Sequence, residues 1–182
     1  MHNYINAAEK HLCLVSSLCV AHTINLAVRK GLNIGLMETM LIRLKLSAAH
    51  FNRLPADKSL LGDKQMLLGL KNENVINDCV THWNSNYDMI CRASEQQPAV
   101  AAVIFKKKKL SHLELTTNEW LVVENIRDTL KPFKTATSVL STDKYPAASA
   151  VLLLQHILIS QVKNIAPTEI PVIKEMKKCT AI

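Results

Sequence analysis

The fold class is decided by the stretch GLMETMLIRLKLSAAHFNRLP, which covers residues 35–55. Its large apolar side chains recur three or four residues apart, from Met37 to Phe51, so they share one face of an α-helix. Pro55 lacks the backbone N–H that another helical turn requires. The spacing therefore predicts an amphipathic helix over residues 35–54 that ends before Pro55.

The composition agrees with a helical protein. The chain has 182 residues, of which 48% are hydrophobic and only 4 are glycine. So few glycines favour helices over the turn-rich chain of a β-sandwich or barrel, and the length suffices for one sizeable core. Aromatic residues make up 4% of the chain, so the core should be aliphatic, with Trp83 and Trp120 as isolated anchors. We predict a mainly α protein.

The segments that flank this helix have patterns of their own. A nearly unbroken apolar run over residues 12–21 predicts a short buried strand. After it, Ile24 and Val28 share one face of a predicted helix that Gly31 ends. Beyond Pro55, Asp57 is predicted to cap the next helix.

The middle of the chain reads as a loop and then a broken helix. Residues 71–77 are polar and rich in asparagine, which predicts a loop. Asn84 or Ser85 is predicted to cap the helix that follows. Pro98 suits the first turn of a helix, so a restart is expected there. The lysines at 106–109 end that apolar segment.

The last third of the chain predicts three more helices. Thr116 and Glu119 have the spacing of a capping box, and the longest predicted helix follows them. A kink or break is expected near Leu130, because Pro132 removes one backbone hydrogen bond. Residues 147–165 are apolar almost all round, so this helix is expected to be central. Pro171 suits the first position of a last helix.

A search for reaction chemistry finds no complete active site. The sequence lacks phosphate-binding loops, nucleophile motifs and metalloprotease motifs, so no catalytic residue, cofactor or small-molecule substrate is predicted. One cluster offers ligand types that zinc accepts. Alternation along a strand would split these ligands between two faces, so no metal site is predicted and burial of the thiols is favoured. The two imidazoles and two thiols come from His11, Cys13, Cys19 and His22.

The charge favours polyanionic partners. There are 22 Lys and Arg against 15 Asp and Glu, a formal net charge of +7. Lys106, Lys107, Lys108 and Lys109 form the densest positive run, which predicts weak electrostatic contact with DNA. The alternative is a solvated turn, which the absence of interleaved aromatic or arginine side chains favours.

Location is indicated by cysteine usage and by the N-terminus. The 5 cysteines form no C-x-x-C pair, and their odd number fits a reducing compartment. The start Met1-His2-Asn3-Tyr4 lacks the pattern of a secretion signal, and no apolar run approaches the roughly 18 residues of a membrane span. The expected location is the nucleus or cytosol, with no membrane association.

Four stretches, in order, carry a family resemblance. Residues 19–26 read CVAHTINL, a C-x-x-H motif followed by a Leu-Asn-Leu-like helix, and residues 79–89 read CVTHWNSNYDM, similar to a T-R-W-N-S-T-Y-x-M block. Residues 130–137 and 140–146 resemble L-x-P-F-x-x-A-T and L-S-x-x-x-Y-P blocks. Together they resemble the hAT-type DNA transposases and their domesticated relatives, including the BED-zinc-finger proteins.

The resemblance implies a domain organisation and a loss of catalysis. Members have an RNase H-like domain that holds three metal-binding acids and is interrupted by a helical insertion domain. By this likeness residues 1–33 are a remnant of the RNase H-like domain, with the strand and helix described above, and residues 34–182 are the insertion domain. The second acid would precede Asn3 and the third would follow Ile182, so an enzyme is not expected.

The resemblance also assigns motif positions. It places Cys19 and His22 near the family's active site, and Trp83 at a tryptophan that assists handling of flipped or hairpin DNA. His82 stands where the family has arginine, and neutral imidazole offers phosphate no permanent charged fork.

The implied function is that of an inactive fragment of a nuclear transposase-derived protein, with residual DNA binding and a transcription-regulator-like role. The alternatives are a helical protein-interaction domain, which would bind a partner or self-associate, and a non-functional gene remnant.

Overall fold

The structure, a computed structural model, describes residues 20–77, 83–142, 148–164 and 169–180. Within these ranges the chain is helical and contains no β-strand, which confirms the predicted mainly α class. Most of the strand predicted over residues 12–21 lies outside the described residues. Its last two residues, Val20 and Ala21, are described and are helical, so the strand prediction is wrong for them.

The described ranges contain helices that we number in chain order. A 3-10 helix, Lys108–Leu113, lies between the fourth and fifth α-helices. The α-helices are α1 (20–32), α2 (Gly35–Arg53), α3 (Pro55–Leu67), α4 (Trp83–Lys106), α5 (Thr117–Thr142), α6 (Ala148–Lys163) and α7 (Pro171–Thr180).

The chain divides into two compact units. The central unit is Gly35–Asp128, and the flanking unit combines Met1–Ile34 with Thr129–Ile182. α5 begins in the central unit and ends in the flanking unit. The assignment of residues 1–33 to an RNase H-like remnant and of residues 34–182 to an insertion domain stays a prediction.

The core of the central unit confirms the helix predicted from the deciding stretch. α2 ends at Arg53, directly before the Leu54-Pro55 pair, and turns its predicted apolar face inward. Each large side chain removed from water contributes about 1.5–3 kcal/mol. The cluster joins α2, α3, α4 and the 3-10 helix through Ala48, Phe51, Leu61, Val75, Ala99, Val100, Val103, Ile104, Leu110 and Leu113.

α3 begins two residues earlier than the predicted cap. Pro55 is its first residue and Leu54 stands at the N-cap without a side-chain hydrogen bond. The prediction that Asp57 caps this helix is therefore wrong. Proline at the first position already has the φ angle of a helix and has no N–H group that needs an acceptor. Asp57 therefore lies inside the first turn, where its carboxylate is buried.

The predicted loop at 71–77 is confirmed, and buried amides hold it. Gln65 Nε2 donates to Glu73 O at 2.8 Å and to Gln96 Oε1 at 2.9 Å. Gln96 Nε2 in turn donates to Lys71 O at 3.4 Å. Because both amide side chains are almost fully buried, these bonds satisfy groups that would otherwise be costly to bury.

The two longest described helices both pass through a proline. α4 has 24 residues and includes Pro98, and α5 has 26 residues and includes Pro132. The restart predicted at Pro98 and the break predicted near Leu130 are therefore wrong, whereas a kink near Leu130 stays a prediction. α5 is the longest described helix, as predicted. An interior proline costs about 3 kcal/mol, and buried side chains on both sides of each proline, such as Leu130 and Phe133, offset it.

The N-termini of α4 and α5 differ in how well the sequence predicted them. The capping box at α5 is confirmed, since Thr116 N donates to Glu119 Oε2 at 2.8 Å and Glu119 N donates to Thr116 Oγ1 at 3.3 Å. The predicted cap of α4 is wrong, because Asn84 and Ser85 both lie inside that helix, after Trp83.

In the flanking unit, Gly31 does not end α1 as predicted, because the helix continues to residue 32. A Cβ at Gly31 would stand 2.4 Å from Thr180 Oγ1 and 3.3 Å from the carbonyl oxygen of Met176. The glycine therefore serves the close approach of α7 to α1. α7 begins at Pro171, as predicted.

α6 is not central, which corrects the prediction for residues 147–165. Leu152 and Leu153 are 66% and 60% exposed, and Ile157 is 40% exposed. One stripe is buried, including Val151 and Leu158. Because α6 is apolar on all sides, its sequence did not show which face is buried. The flanking unit covers only one stripe of this helix.

Candidate nucleic-acid interface

The lysine run lies where α4 gives way to the 3-10 helix. Lys106 is the last residue of α4, and Lys108 and Lys109 open the 3-10 helix. These three side chains are exposed, and no described residue forms an ion pair with them. The turn is anchored to the core of the central unit, because Leu110 in the same 3-10 helix is buried there.

Lys107 is used differently from its neighbours. Its Nζ donates a hydrogen bond to Oδ1 of Asp57, a residue only 4% exposed. The other carboxylate oxygen of Asp57 lies 2.7 Å from Nε2 of His50. The three side chains come from the end of α2, the first turn of α3 and the residue after α4, so the buried carboxylate fastens three helix ends together.

The charge of this carboxylate is set by its two partners. The hydrogen bond from Lys107 and then the one from His50 lower the pKa of Asp57, and they outweigh burial, which raises it. Asp57 is therefore ionised at neutral pH and balances Lys107. The other three lysines are exposed at the surface.

An open groove runs beside the lysine turn, between the end of α2 and the 3-10 helix. Its volume is about 510 Å³. Two of its lining residues, Arg53 and His112, are exposed and can face a ligand. We call this the apolar groove, and its lining residues are Leu46, Ala49, His50, Arg53, Leu54, Leu110, His112 and Leu113. We call Arg53, Lys106, Lys108 and Lys109 the basic cluster.

Trp83 is a core residue. It is 2% exposed and opens α4, and its ring packs edge-on against Tyr87 with centroids 6.3 Å apart. Burial raises the pKa of Tyr87, which lies in the same enclosed region. Trp120 is also buried, so both tryptophans are the large anchors that the composition predicted. The role of Trp83 in DNA handling, which the resemblance implies, stays a prediction.

The other motif positions lie in different units or outside the described residues. His22 is exposed on α1 and belongs to the flanking unit, whereas Trp83 belongs to the central unit. Cys19 and His82 lie outside the described residues, as do His11 and Cys13 of the zinc alternative. Among the residues that the structure describes, no group of three His, Cys, Asp or Glu could hold a metal ion.

Arg53 and the pair of His50 with Asp57 were not predicted from the sequence. A signal for them exists: a basic last turn and an acidic first turn lie on the two sides of the Leu54-Pro55 break. Such a break between two short-linked helices brings those turns together. The partner Lys107 is 50 residues from Asp57, so no local pattern could indicate it.

The fold is helical, and this surface carries exposed cations on the turn between α4 and the 3-10 helix. Residues 18–129 match the family described as the ZBED1 RNase-like helical domain. The chain belongs to this family and is thus a hAT- and BED-type transposase-derived protein, which confirms the predicted resemblance.

A relative supports the same family. Over 142 residues the chain is 28% identical to zinc finger BED domain-containing protein 4 from Homo sapiens. The match covers 77% of this chain and 12% of that protein, so the chain spans a small part of the relative's length. No solved structure matches the chain. None of the described helices combines the length and the apolarity that crossing a membrane requires.

Proposed function

We propose that this chain is a catalytically inactive part of a nuclear transposase-derived protein, and that it binds DNA weakly and without sequence preference through the basic cluster. Transcription regulation is the role that we infer for the complete protein. The observation that carries the proposal is the exposure of Lys106, Lys108 and Lys109 on one turn. Of the four lysines, Asp57 accepts a hydrogen bond only from Lys107.

The charge arrangement favours phosphate rather than base recognition. Lysine is a flexible point charge, and the tryptophan that could stack on a base, Trp83, is buried. Each phosphate that a lysine neutralises releases counterions, so affinity falls as salt rises. Three or four such contacts predict a slope of about −3 to −4 for log K against log salt.

The proposed inactivity depends on the family resemblance. That resemblance places the three metal-binding acids outside residues 1–182. The nuclear location and the regulatory role rest on the membership in a transposase-derived family. Incubation of the chain with labelled DNA and Mg²⁺ or Mn²⁺ should leave the DNA intact, and any specific cleavage would contradict this part of the proposal.

DNA binding can be measured by fluorescence anisotropy with a duplex of about 20 base pairs, from about 50 mM to about 200 mM salt. The variant Lys108→Ala/Lys109→Ala should lose about tenfold in affinity and reduce the salt slope by about 2. The matched control, Lys30→Ala/Lys131→Ala, also removes two exposed lysines but from the flanking unit. Equal losses in both variants, or a slope near zero, would contradict the proposed interface.

A second candidate function is protein binding. It is favoured by Leu46 and Leu54, which line the apolar groove and are 51% and 42% exposed. Phosphate gains nothing from these side chains, so DNA binding leaves them unexplained.

A further inference from the structure

α2 has two apolar faces. One face is buried and contains Met37, Met40 and Phe51. The second face carries Ile42, Leu46 and Ala49, which follow each other at four and three residues and are all exposed. A surface helix ordinarily keeps the side opposite its core polar. This exposed stripe is therefore a surface that a partner could cover.

The stripe continues into the apolar groove. Leu46, Ala49 and Leu54 form one wall, and the 3-10 helix forms the other. Leu110 and Leu113 are almost fully buried, so they close the floor and are held in place by the core of the central unit. A volume of about 510 Å³ accommodates several side chains. The groove is thus formed by two helical elements whose buried faces belong to one core.

The rim of the groove is positively charged. None of its eight lining residues is acidic, whereas Arg53 and His112 are exposed. Asp57, the acid bonded to His50, is buried and already balanced by Lys107. A ligand that fits this groove combines apolar side chains with carboxylates, because carboxylate pairs well with the planar guanidinium of arginine.

We propose that the apolar groove binds an acidic amphipathic helix of another protein. Apolar side chains of that helix, spaced one and two turns apart, pack on Leu46 and Leu54, and its carboxylates pair with Arg53. This inference rests on the second candidate function, protein binding, and shares only Arg53 with the proposed DNA-binding surface. A second copy of this chain is disfavoured as the occupant, because the chain carries a net charge of +7 and the rim is positive.

The probe is a fluorescein-labelled peptide of about 16 residues, long enough to form a helix, with leucines on one face and glutamates beside them. A control peptide has the same composition with its leucines spread around the helix. We expect the complete 182-residue chain to bind the amphipathic peptide at least about tenfold more tightly than the control peptide. Equal affinity for the two peptides would overturn the proposal.

The site is tested by the variant Leu46→Gln/Leu54→Gln, which removes apolar surface without changing charge. Because both leucines are half-exposed, the fold should survive, and the circular dichroism melting curve checks this. Peptide affinity should fall at least about tenfold. The control Leu67→Gln changes an exposed leucine of α3 outside the groove and should leave affinity unchanged. A loss as large in the control would overturn the assignment to the groove.

Charge complementarity has its own variant. Arg53→Gln should weaken the glutamate peptide several-fold, but not a peptide in which glutamine replaces every glutamate. Equal losses for both peptides would overturn the proposed arginine–carboxylate pairing.

The same leucine variant separates this inference from the DNA proposal. Leu46→Gln/Leu54→Gln should bind duplex DNA within about twofold of the unchanged chain, since no cation is removed. A parallel loss of DNA and peptide binding would overturn a separate peptide site. Sedimentation decides about a second copy: a dimer that the leucine variant dissociates would identify the occupant as this chain and overturn the proposal.

Discussion

The central and flanking units are built from similar helices but are fixed by different interactions. In the central unit, polar side chains far apart in sequence bond to each other, as Lys107 does to Asp57 and Arg43 to Glu119. In the flanking unit, Lys177 Nζ donates to the carbonyl oxygen of Asn164, only 13 residues away, and hydroxyls such as those of Thr137 and Thr180 bond back to carbonyls of their own helices. A hydrogen bond between two helices requires one relative position of those helices. Apolar contacts and hydrogen bonds within one helix allow a wider range of positions.

This difference has a consequence for the surfaces of the two units. The central unit holds a short 3-10 turn and a loop in fixed positions, because Asp57, Gln65 and Gln96 anchor them. Both proposed binding surfaces lie on that unit. The flanking unit leaves the apolar stripe of Leu152 and Leu153 uncovered.

The largest expected effect compares two fully buried phenylalanines, one in each unit. Phe51→Ala and Phe133→Ala should each cost about 3–5 kcal/mol, from lost apolar contact and the cavity left behind. Urea denaturation distinguishes the units, because both tryptophans, Trp83 and Trp120, report on the central unit only. If the units unfold separately, only Phe51→Ala shifts the fluorescence transition. A fluorescence shift as large from Phe133→Ala would show that the units unfold together.

A smaller effect tests the buried carboxylate. Asp57→Asn should reduce the free energy of unfolding by about 2 kcal/mol at neutral pH, because Lys107 loses its charged partner but remains partly solvated. Since the folded-state pKa of Asp57 lies below its ordinary value, this contribution is present above that value and is lost as pH falls further.

The stability difference between the unchanged chain and Asp57→Asn should therefore shrink as the pH falls below the ordinary pKa of an aspartate, about 4. Urea titrations at several pH values measure it. Asp63→Asn, an exposed position in the same helix, is the control and should show no comparable difference. A stability gap for Asp57→Asn that persists at low pH would mean that the charge of Asp57 is not what fastens the helix ends.

The smallest effect compares two helical glycines. Gly31→Ala should destabilise the flanking unit by about 1 kcal/mol, since the added methyl group meets Thr180 Oγ1 and the backbone of α7. Gly62→Ala in α3 should instead stabilise by about 0.5–1 kcal/mol, because its nearest neighbour, Asn72 Oδ1, is at an ordinary 3.6 Å. Melting temperatures that move in the same direction for both variants would contradict the close approach of α7 at Gly31.

Local signals predicted the ends of several helices well. The stop before Pro55, the capping box of Thr116 and Glu119, and the start at Pro171 each depend on residues within one turn. The lysine run was also visible in the sequence. Such features follow from backbone chemistry that is the same in any fold.

The errors arose where packing between distant segments decides the outcome. α4 and α5 continue through Pro98 and Pro132, because side chains on both sides of each proline are buried. Asp57 faces inward because Lys107 lies opposite, and α6 is exposed because the unit covers only one of its stripes. The local sequence of these elements does not show which distant segments of the chain pack against them.

The pairing of Lys107 with Asp57 has a consequence for the chemistry of the lysine turn. Acylation requires a lysine nitrogen to lose a proton and direct the freed lone pair at the reagent, and the bond to Asp57 restrains the nitrogen of Lys107. Lys107 should therefore be acylated more slowly than the exposed Lys106, Lys108 and Lys109. Unfolding of the central unit would remove the difference. The four consecutive lysines thus contain an internal reference, in which the slow member reports whether α2, α3 and α4 are assembled and the fast ones report the reagent dose.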